Sequence, residues 1–538
     1  MKGIKSFWNA VFLTALIVGS ACFVGTSGHF FNTKKVCEKQ EVTPTDYGNF
    51  LAAQHALYIN DFGMADDFVR DLKSEVKVVN QTKILSSFFN GNMPENVKDL
   101  KSDKDLANRL IYDAYLINQD KWADLYQRHA KENTLMIAPI RIFSAVKQGK
   151  TKEALKFIDS LKTTDNWKSF MRGQVAVLNK DIDKAAKEFA KVHPDFMNIN
   201  DYLYLMSFYK EHEMFEDMDI LQGDFAAKPG GMFILNYEDI PDWSEYDGYK
   251  NSIAFSMIQT VSHAHIIILT DLSLMLLRFA ESLTDANANA LNYYLGQYYF
   301  YNYGDSNKSF NSIDKASPFY LFGQMRIAEK ENNFKKIEKI AKNNPLFIQA
   351  VDEVLTEYIR NGNKKSALKL INSGLKHPDL SDAGRAYFLK QRAHVYLLFN
   401  DPDKAQTDVF DLMDLDGEAS LETMLLQARV WNQKDMNLDD AYTYAMAAVK
   451  RNTSDIEAWD LVGVIVEKRE GIDAALDLIE QVSGVPVNVS SLYEHLGDFY
   501  VKKGEKEKAK KSYLRAIDLS DDGWVVVPFV KKKLRKVK

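Results

Sequence analysis

Cysteine is nearly missing from this chain. The two present, Cys22 and Cys37, fall within the first forty of 538 residues, so the body can hold neither a disulfide framework nor a cysteine-type zinc site. An excess of one charge sign is missing too. The formal net charge is -6, which over this length gives no electrostatic argument for nucleic acid, and none is expected as a partner. One basic cluster stands out, "KKKLRKVK" from Lys531 to Lys538. Its plainest reading is a solvated helix end, with contact to anionic lipid or nucleic acid as the alternative.

Catalytic signatures are also absent. The sequence has no HExxH, no GxSxG and no cysteine near a histidine in the body. "KPGG" is too short for a phosphate loop and lacks the following Lys-Ser or Lys-Thr. Paired carboxylates such as Asp66 and Asp67 are what any helical surface carries. His263 and His265 form an HxH pair, but on a helix residues two apart point about 200° away from each other and cannot share one ion. No catalytic residue, cofactor or metal is therefore expected.

What is present is the composition of a folded protein, 46% apolar and 26% charged. At this length the chain must be several domains or an array whose core grows by stacking. The start, "MKGIKSFWNAVFLTALIVGSACFVGTSGHFF", runs from basic Lys2 and Lys5 through an apolar stretch to the small residues Gly19, Ser20 and Ala21. That is the order of an export signal. Cleavage after Ala21, lipidation of Cys22 and retention as a membrane anchor remain open. Lipidation sites normally carry Leu or Val where Gly19 stands. Each reading places the remainder outside the cytoplasm, in the periplasm or associated with an envelope membrane.

After a polar linker, apolar residues recur at three- and four-residue spacing and alternating strand patterns are scarce, which predicts helix nearly throughout. A repeat is superimposed on that pattern. "LYEHLGDFYVKKGEKEKAKKSYLRAI" places Tyr493, Leu496, Gly497 and Tyr500 ahead of Ala509, Tyr513 and Ala516. One period earlier stand Trp459, Val462, Gly463 and Val466, then Ala475, Ile479 and Val482. Another period back stand Leu425, Ala428 and Arg429, then Ala441, Ala445 and Ala448. The same design continues upstream with short insertions, around Ala393 and Ala405 and around Tyr358 and Ala367, and more loosely at Ala154, Ala185, Ala53 and Ala65. Small residues at these places let two helices approach to about 8–10 Å.

This spacing resembles the tetratricopeptide repeat, about 34 residues of paired helices. The resemblance implies an all-α, right-handed superhelical solenoid. The last three repeats resemble in particular those of an exported alphaproteobacterial tetratricopeptide protein of unassigned function. Its D-H-L-G-D signature stands here as Glu494, His495, Leu496, Gly497 and Asp498. In such proteins the first helix of each pair lines an inner groove. The corresponding positions are Lys390 and His394, Leu426 and Val430, Asp460 and Val464, and Glu494 and Asp498, a mixed surface that is basic at one end and acidic at the other. Glu457, Glu494 and Asp498 put negative charge where a clamp for a chaperone tail needs cations or amides. An extended or helical segment of another protein is the better ligand class.

The expected organisation is a signal or anchor over 1–30, a linker over 31–48, a degenerate array over 49–221, an irregular middle over 222–347, a regular array over 348–523 and a basic capping helix over 524–538, opened by Pro528. The most apolar stretch outside the start, following Ile253, carries His263, His265, Asp271 and Arg278. These argue against a membrane span and for a helix buried at the centre of the solenoid. The expected function is a non-enzymatic scaffold in the bacterial cell envelope that binds partner polypeptides, attached to a membrane if its N-terminus is retained. The alternatives are an accessory subunit of a glycan- or lipid-handling complex and an enzyme with a site in the middle segment.

Overall fold

The computed structural model describes residues 46–59, 61–72, 76–227, 240–263, 271–286, 288–302, 304–378, 380, 382–416, 420–483 and 489–537. Helices follow one another along these residues, with no strand among them. The fold is an all-α helical-repeat solenoid, built from antiparallel hairpins that stack on their chain neighbours.

Each hairpin has the same local cause. The first helix ends in a tight turn with a residue in the left-handed region, and the second helix starts within a few residues. Gly362, Asn400, Asp435, Gly471 and Gly504 occupy that place in the five C-terminal hairpins, with φ of 75°, 56°, 51°, 98° and 77°. Glycine and asparagine tolerate this conformation best, which ends the helix without fraying.

Among the described residues, eleven α-helices follow residue 347. The first hairpin is α1 (Ile348–Arg360) with α2 (Lys364–Leu375), and the second is α3 (Asp382–Leu398) with α4 (Pro402–Asp416). The third is α5 (Leu421–Gln433) with α6 (Leu438–Arg451), and the fourth α7 (Ile456–Glu470) with α8 (Ile472–Ser483). The fifth is α9 (Ser490–Lys502) with α10 (Lys506–Asp518), and α11 (Val527–Lys536) closes the array.

The small residues of the repeat sit where these helices touch. A Cβ added to Gly497 would lie 2.5 Å from the Tyr513 ring, and one added to Gly463 would lie 2.3 Å from Ile479. In the N-terminal array, Gly173 meets Phe189 in the same way, at 2.2 Å. Tyr513 thus fills its own hairpin rather than the space between units. Tyr500 does reach the preceding unit, donating to Glu480 at 2.7 Å. In the third hairpin the roles are exchanged. Arg429 stands where its neighbours have glycine, and the facing place in α6 holds the fully buried Ala445.

The N-terminal array curls around a helix from the middle of the chain. Tyr249–His263 packs against the first helices of several hairpins, among them Ala138–Lys147, Asp165–Leu178 and Ile199–Glu211. Ten of its residues are buried, as expected of a helix at the solenoid's centre. Phe255 lies 5.8 Å from Phe170 and 4.5 Å from Tyr204, centroid to centroid. Gln259 and His263 both reach the fully buried Asp201, each at 2.6 Å. No helix among the described residues is long and apolar enough to cross a membrane.

Candidate functional site

The inner face of the C-terminal array is also occupied, and its occupant is the end of the same chain. After α10 the backbone makes a single 3-10 turn, Ser520–Asp522, and passes Gly523 at φ 75°. It then crosses from the last hairpin back to the first. Residues 520–536 are called the strap below.

The strap is held at both ends of the array. Asp522 accepts from the Ser490 backbone N–H at 2.7 Å and from its hydroxyl at 2.5 Å, at the start of α9. Arg360, the last residue of α1, donates to Ser520 Oγ at 3.1 Å and pairs with Asp521 at 2.9 Å. Val525 and Val530 are fully buried in the core of the last hairpins, whereas Val526 joins the core of α1 and α2. Gly523 backs onto Thr356 of α1, where a Cβ would lie in ordinary contact, 3.4 Å from Thr356 Oγ1. Phe529 meets Phe399, just after α3, at 5.7 Å.

Trp524 is the anchor between these ends. Its ring meets His394 of α3 edge-on at 4.3 Å and lies under the Arg429 guanidinium of α5 at 4.5 Å. His394 Nε2 donates to the Gly523 carbonyl at 3.2 Å, which fixes the tautomer with the proton on Nε2. Burial pushes the His394 pKa down to about 4. The Arg429 charge adds to that shift, and the Gly523 carbonyl opposes it. The imidazole in contact with Trp524 is therefore neutral at pH 7. Burial also lowers the Arg429 pKa, against the attraction of Asp460, Glu457 and Asp455. A cation held over an indole face in a desolvated place is a favourable arrangement.

The expected groove residues separate into three groups. Lys390 stays at the surface, paired with Glu422 at 2.6 Å. His394, Glu494 and Asp498 face the strap, the two carboxylates both gripping Lys533, at 2.7 and 2.6 Å. The Lys533 pKa is raised, since those two carboxylates outweigh the opposing effect of its burial. Leu426 and Val430 are corrected to core positions: they pack with Leu389, Leu397 and Val409 between the second and third hairpins. Asp460 is corrected likewise. It is fully buried, accepting from Ser491 Oγ at 2.7 Å and pairing with His495 Nδ1 at 2.8 Å. Val464 is half-buried against the same core. Cys22 lies outside the described residues.

Ser491, Asp460 and His495 hold the three side-chain types of a nucleophilic triad, wired differently. Hydroxyl and imidazole both bond the one carboxylate, so the imidazole is not placed to take the hydroxyl proton. Burial works against both charges of the pair. Mutual attraction nevertheless keeps the Asp460 carboxyl below its ordinary range and the His495 imidazole above its own. His263 is likewise engaged, bonded to Asp201 and stacked on Phe196 at 4.4 Å, while His265 lies outside the described residues. Among the described residues no group of three His, Cys, Asp or Glu side chains is disposed to hold a metal.

Residues that the repeat pattern did not single out as site residues are Trp524, Gly523, Asp522 and Arg429. A signal for them was present in "DDGWVVVPFV". An acidic turn, a glycine and a run of β-branched residues between two polar stretches is an apolar segment in need of a surface.

No family model and no curated protein matches the sequence. Among solved structures the chain is similar to a tetratricopeptide repeat protein from Parabacteroides merdae, at 12% identity over 53% of this chain and 99% of that one, with a TM-score of 0.32. It is similar to the APC/C hetero-tetramer Cut9-Hcn1, at 12% identity over 91% and 96% with a TM-score of 0.29. It is similar also to yeast Tom70, at 12% identity over 91% and 96% with a TM-score of 0.27.

Proposed function

We propose that the chain is a non-enzymatic protein-interaction scaffold, exported through its N-terminal segment, that binds partner polypeptides on the inner face of the C-terminal array. The observation that carries this reading is the strap itself. The array holds a crossing polypeptide by an aromatic anchor, buried branched side chains and charge-assisted hydrogen bonds, the means by which one protein recognises a segment of another. The charged groups nearby are engaged in holding: Arg429 lies over Trp524, Asp460 pairs with His495, and Lys533 with Glu494 and Asp498. The envelope setting is supported by the order of basic, apolar and small residues over Lys2 to Ala21.

Photo-crosslinking in the native host tests both parts. A crosslinking residue replacing Lys390, on the inner side, is compared with one replacing the exposed Lys510 on α10. The expected result is a discrete polypeptide adduct from position 390 only, recovered in the envelope fraction and lost when residues 2–21 are deleted. Adducts of equal yield from both positions, or a non-protein adduct from position 390, would overturn the partner class. Recovery in the cytoplasm would overturn the location.

A further inference from the structure

The strap makes contacts of two kinds that do not depend on each other. Its helix α11 packs on the last hairpin, with Val530 in that core and Lys533 between Glu494 and Asp498. Its leading loop, 520–526, leaves that hairpin and bonds to α1, α3 and α5, which belong to units far earlier in the chain. A terminal helix needs only the first kind to cover the end of a repeat array. Val525 and Asp522 of the loop share in that covering, but the contacts to α1, α3 and α5 lie beyond it. They place Asp522, Gly523 and Trp524 across the concave face, where a segment from another protein would lie.

The loop also has the composition of a recognition segment. One large aromatic anchor sits in a pocket formed by His394 and Arg429. A glycine with positive φ lets the backbone approach α1, and carboxylates at Asp521 and Asp522 meet Arg360 and the N-terminus of α9. Arg360 and Arg429 present positive charge to this segment, while Glu457 lies near enough to Asp522, and Glu353 to Asp521, for like charges to repel. Asp521 is exposed and Asp522 and Trp524 are half-buried, while Ser520, Gly523, Val525 and Val526 are buried, so the loop is seated in the groove with its acidic and aromatic side chains partly open to solvent.

We propose that residues 520–526 are an internal ligand that occupies the groove in cis. Its external partner is a polypeptide bearing the same chemistry, an acidic turn followed by glycine, tryptophan and β-branched residues. This rests on the reading of the array as a polypeptide-binding scaffold and names its ligand. Tethering gives the internal copy an effective concentration in the millimolar range, so a free segment at micromolar concentration enters only once the loop lets go.

The test uses the full chain and a fluorescently labelled peptide spanning residues 518–531. Anisotropy titrations compare the native chain with the Asp522→Ala/Trp524→Ala double variant, whose internal copy is weakened. The expected result is at least tenfold tighter peptide binding by the variant. A peptide with the tryptophan changed to alanine should lose at least that factor.

A second variant, Thr356→Cys/Gly523→Cys with Cys22 and Cys37 changed to serine, locks the loop by a disulfide. A Cβ added at Gly523 lies in van der Waals contact with Thr356, 3.4 Å from its Oγ1 and 3.8 Å from its Cα, which brings the two positions together for cross-linking. Oxidised, it should bind no peptide; reduced, it should bind peptide at least as tightly as the native chain, because a cysteine at φ 75° strains the docked loop. Equal binding by oxidised and reduced chains overturns the proposal, as does a folded double variant that binds no better than the native chain. If the partner found by crosslinking at position 390 attaches equally to the locked chain, the internal-ligand proposal fails and the scaffold reading survives.

Discussion

The Arg429 guanidinium lies over the Trp524 ring at 4.5 Å, joining the middle hairpin of the C-terminal array to the last residues of the chain. The contact turns a stack of hairpins into a closed unit, because the segment carrying Trp524 is also bonded to α1 and to α9. Trp524→Ala should destabilise the docked strap by about 2–3 kcal/mol, combining lost apolar burial with the lost cation–ring contact. Arg429→Lys should cost about 1 kcal/mol, since an ammonium keeps the charge without the planar stacking. Hydrogen exchange at the amides of 523–530 measures both. Unchanged protection in Trp524→Ala would show that the ring does not anchor the strap.

Helix spacing gives a second expectation. Gly463 faces Ile479 and Gly497 faces Tyr513, with no room for a methyl group on either glycine. Gly463→Ala should destabilise by about 1–3 kcal/mol through overpacking. Ile479→Ala should also destabilise, by about 2–5 kcal/mol, through the cavity it leaves. The double variant should cost less than the two added together, because the new methyl group fills part of the space that the isoleucine vacates. The third hairpin carries Arg429 at the glycine's repeat position and the small, fully buried Ala445 at the place of Ile479 and Tyr513. Denaturation of the four proteins measures the coupling, and strict additivity would remove the packing explanation.

Those glycine positions were legible in the sequence because a hairpin contact joins residues close together in the chain. The facing pairs recur with the repeat and need only local geometry. Trp524 was not legible in the same way. Its partners His394 and Arg429 lie several repeats upstream, and what brings them together is the curvature of the whole array, which no single repeat encodes. The same curvature decides which first-helix positions stay on the inner face. Val430 and Leu426 occupy nominal groove positions but turn into the core of the second and third hairpins. Asp460 occupies one too, and is sealed beneath Ser491 and His495. Glu494 and Asp498, expected at an acidic end of the groove, both pair with Lys533 of the strap. Lys533 belongs to the basic run Lys531–Lys538, whose composition alone reads as a solvated helix end.

Acidification should release the strap. His394 is neutral in the docked state, with its pKa down to about 4 against an ordinary 6.5, so the undocked state binds more protons between these values. Docking stability from this group is complete above pH 6.5 and falls as the pH drops toward 4. Two neighbours act differently. The Glu457 carboxyl is raised by burial, Arg429 opposing, so its protonation relieves a cost and partly offsets the loss. The Asp460–His495 pair keeps its contribution in this window. The Asp460 carboxyl is depressed, so its part is lost only as the pH falls below the ordinary aspartate range; the His495 imidazole is raised, so its part is lost only as the pH rises above the ordinary histidine value. Exchange protection at 523–530 should therefore decline between pH 6.5 and 4.5 in the native chain. His394→Asn, which cannot take up the proton, should flatten that decline. A profile unaltered by the substitution would assign the titration to another group.

The N-terminal array should fail first at Asp201. This carboxylate is fully buried, accepts from Gln259 at 2.6 Å and pairs with His263 at 2.6 Å, and it also caps its own helix through the Asn198 N–H at 3.0 Å. All three partners point donors or a proton-bearing ring at it. An amide in the same place would present its own N–H toward one of them and leave a buried donor unsatisfied. Asp201→Asn should therefore cost about 2–4 kcal/mol, more than loss of an average hydrogen bond, because the remaining groups stay buried without their charge partner. In a repeat array stability is shared mainly between neighbouring units. The loss should therefore concentrate in residues 198–211 and in the central helix Tyr249–His263, leaving the C-terminal hairpins protected. Hydrogen exchange resolved by segment reads this directly. A uniform loss of protection from residue 46 to residue 537 would mean that the two arrays unfold as one body, and that Asp201 supports the whole chain rather than its first half.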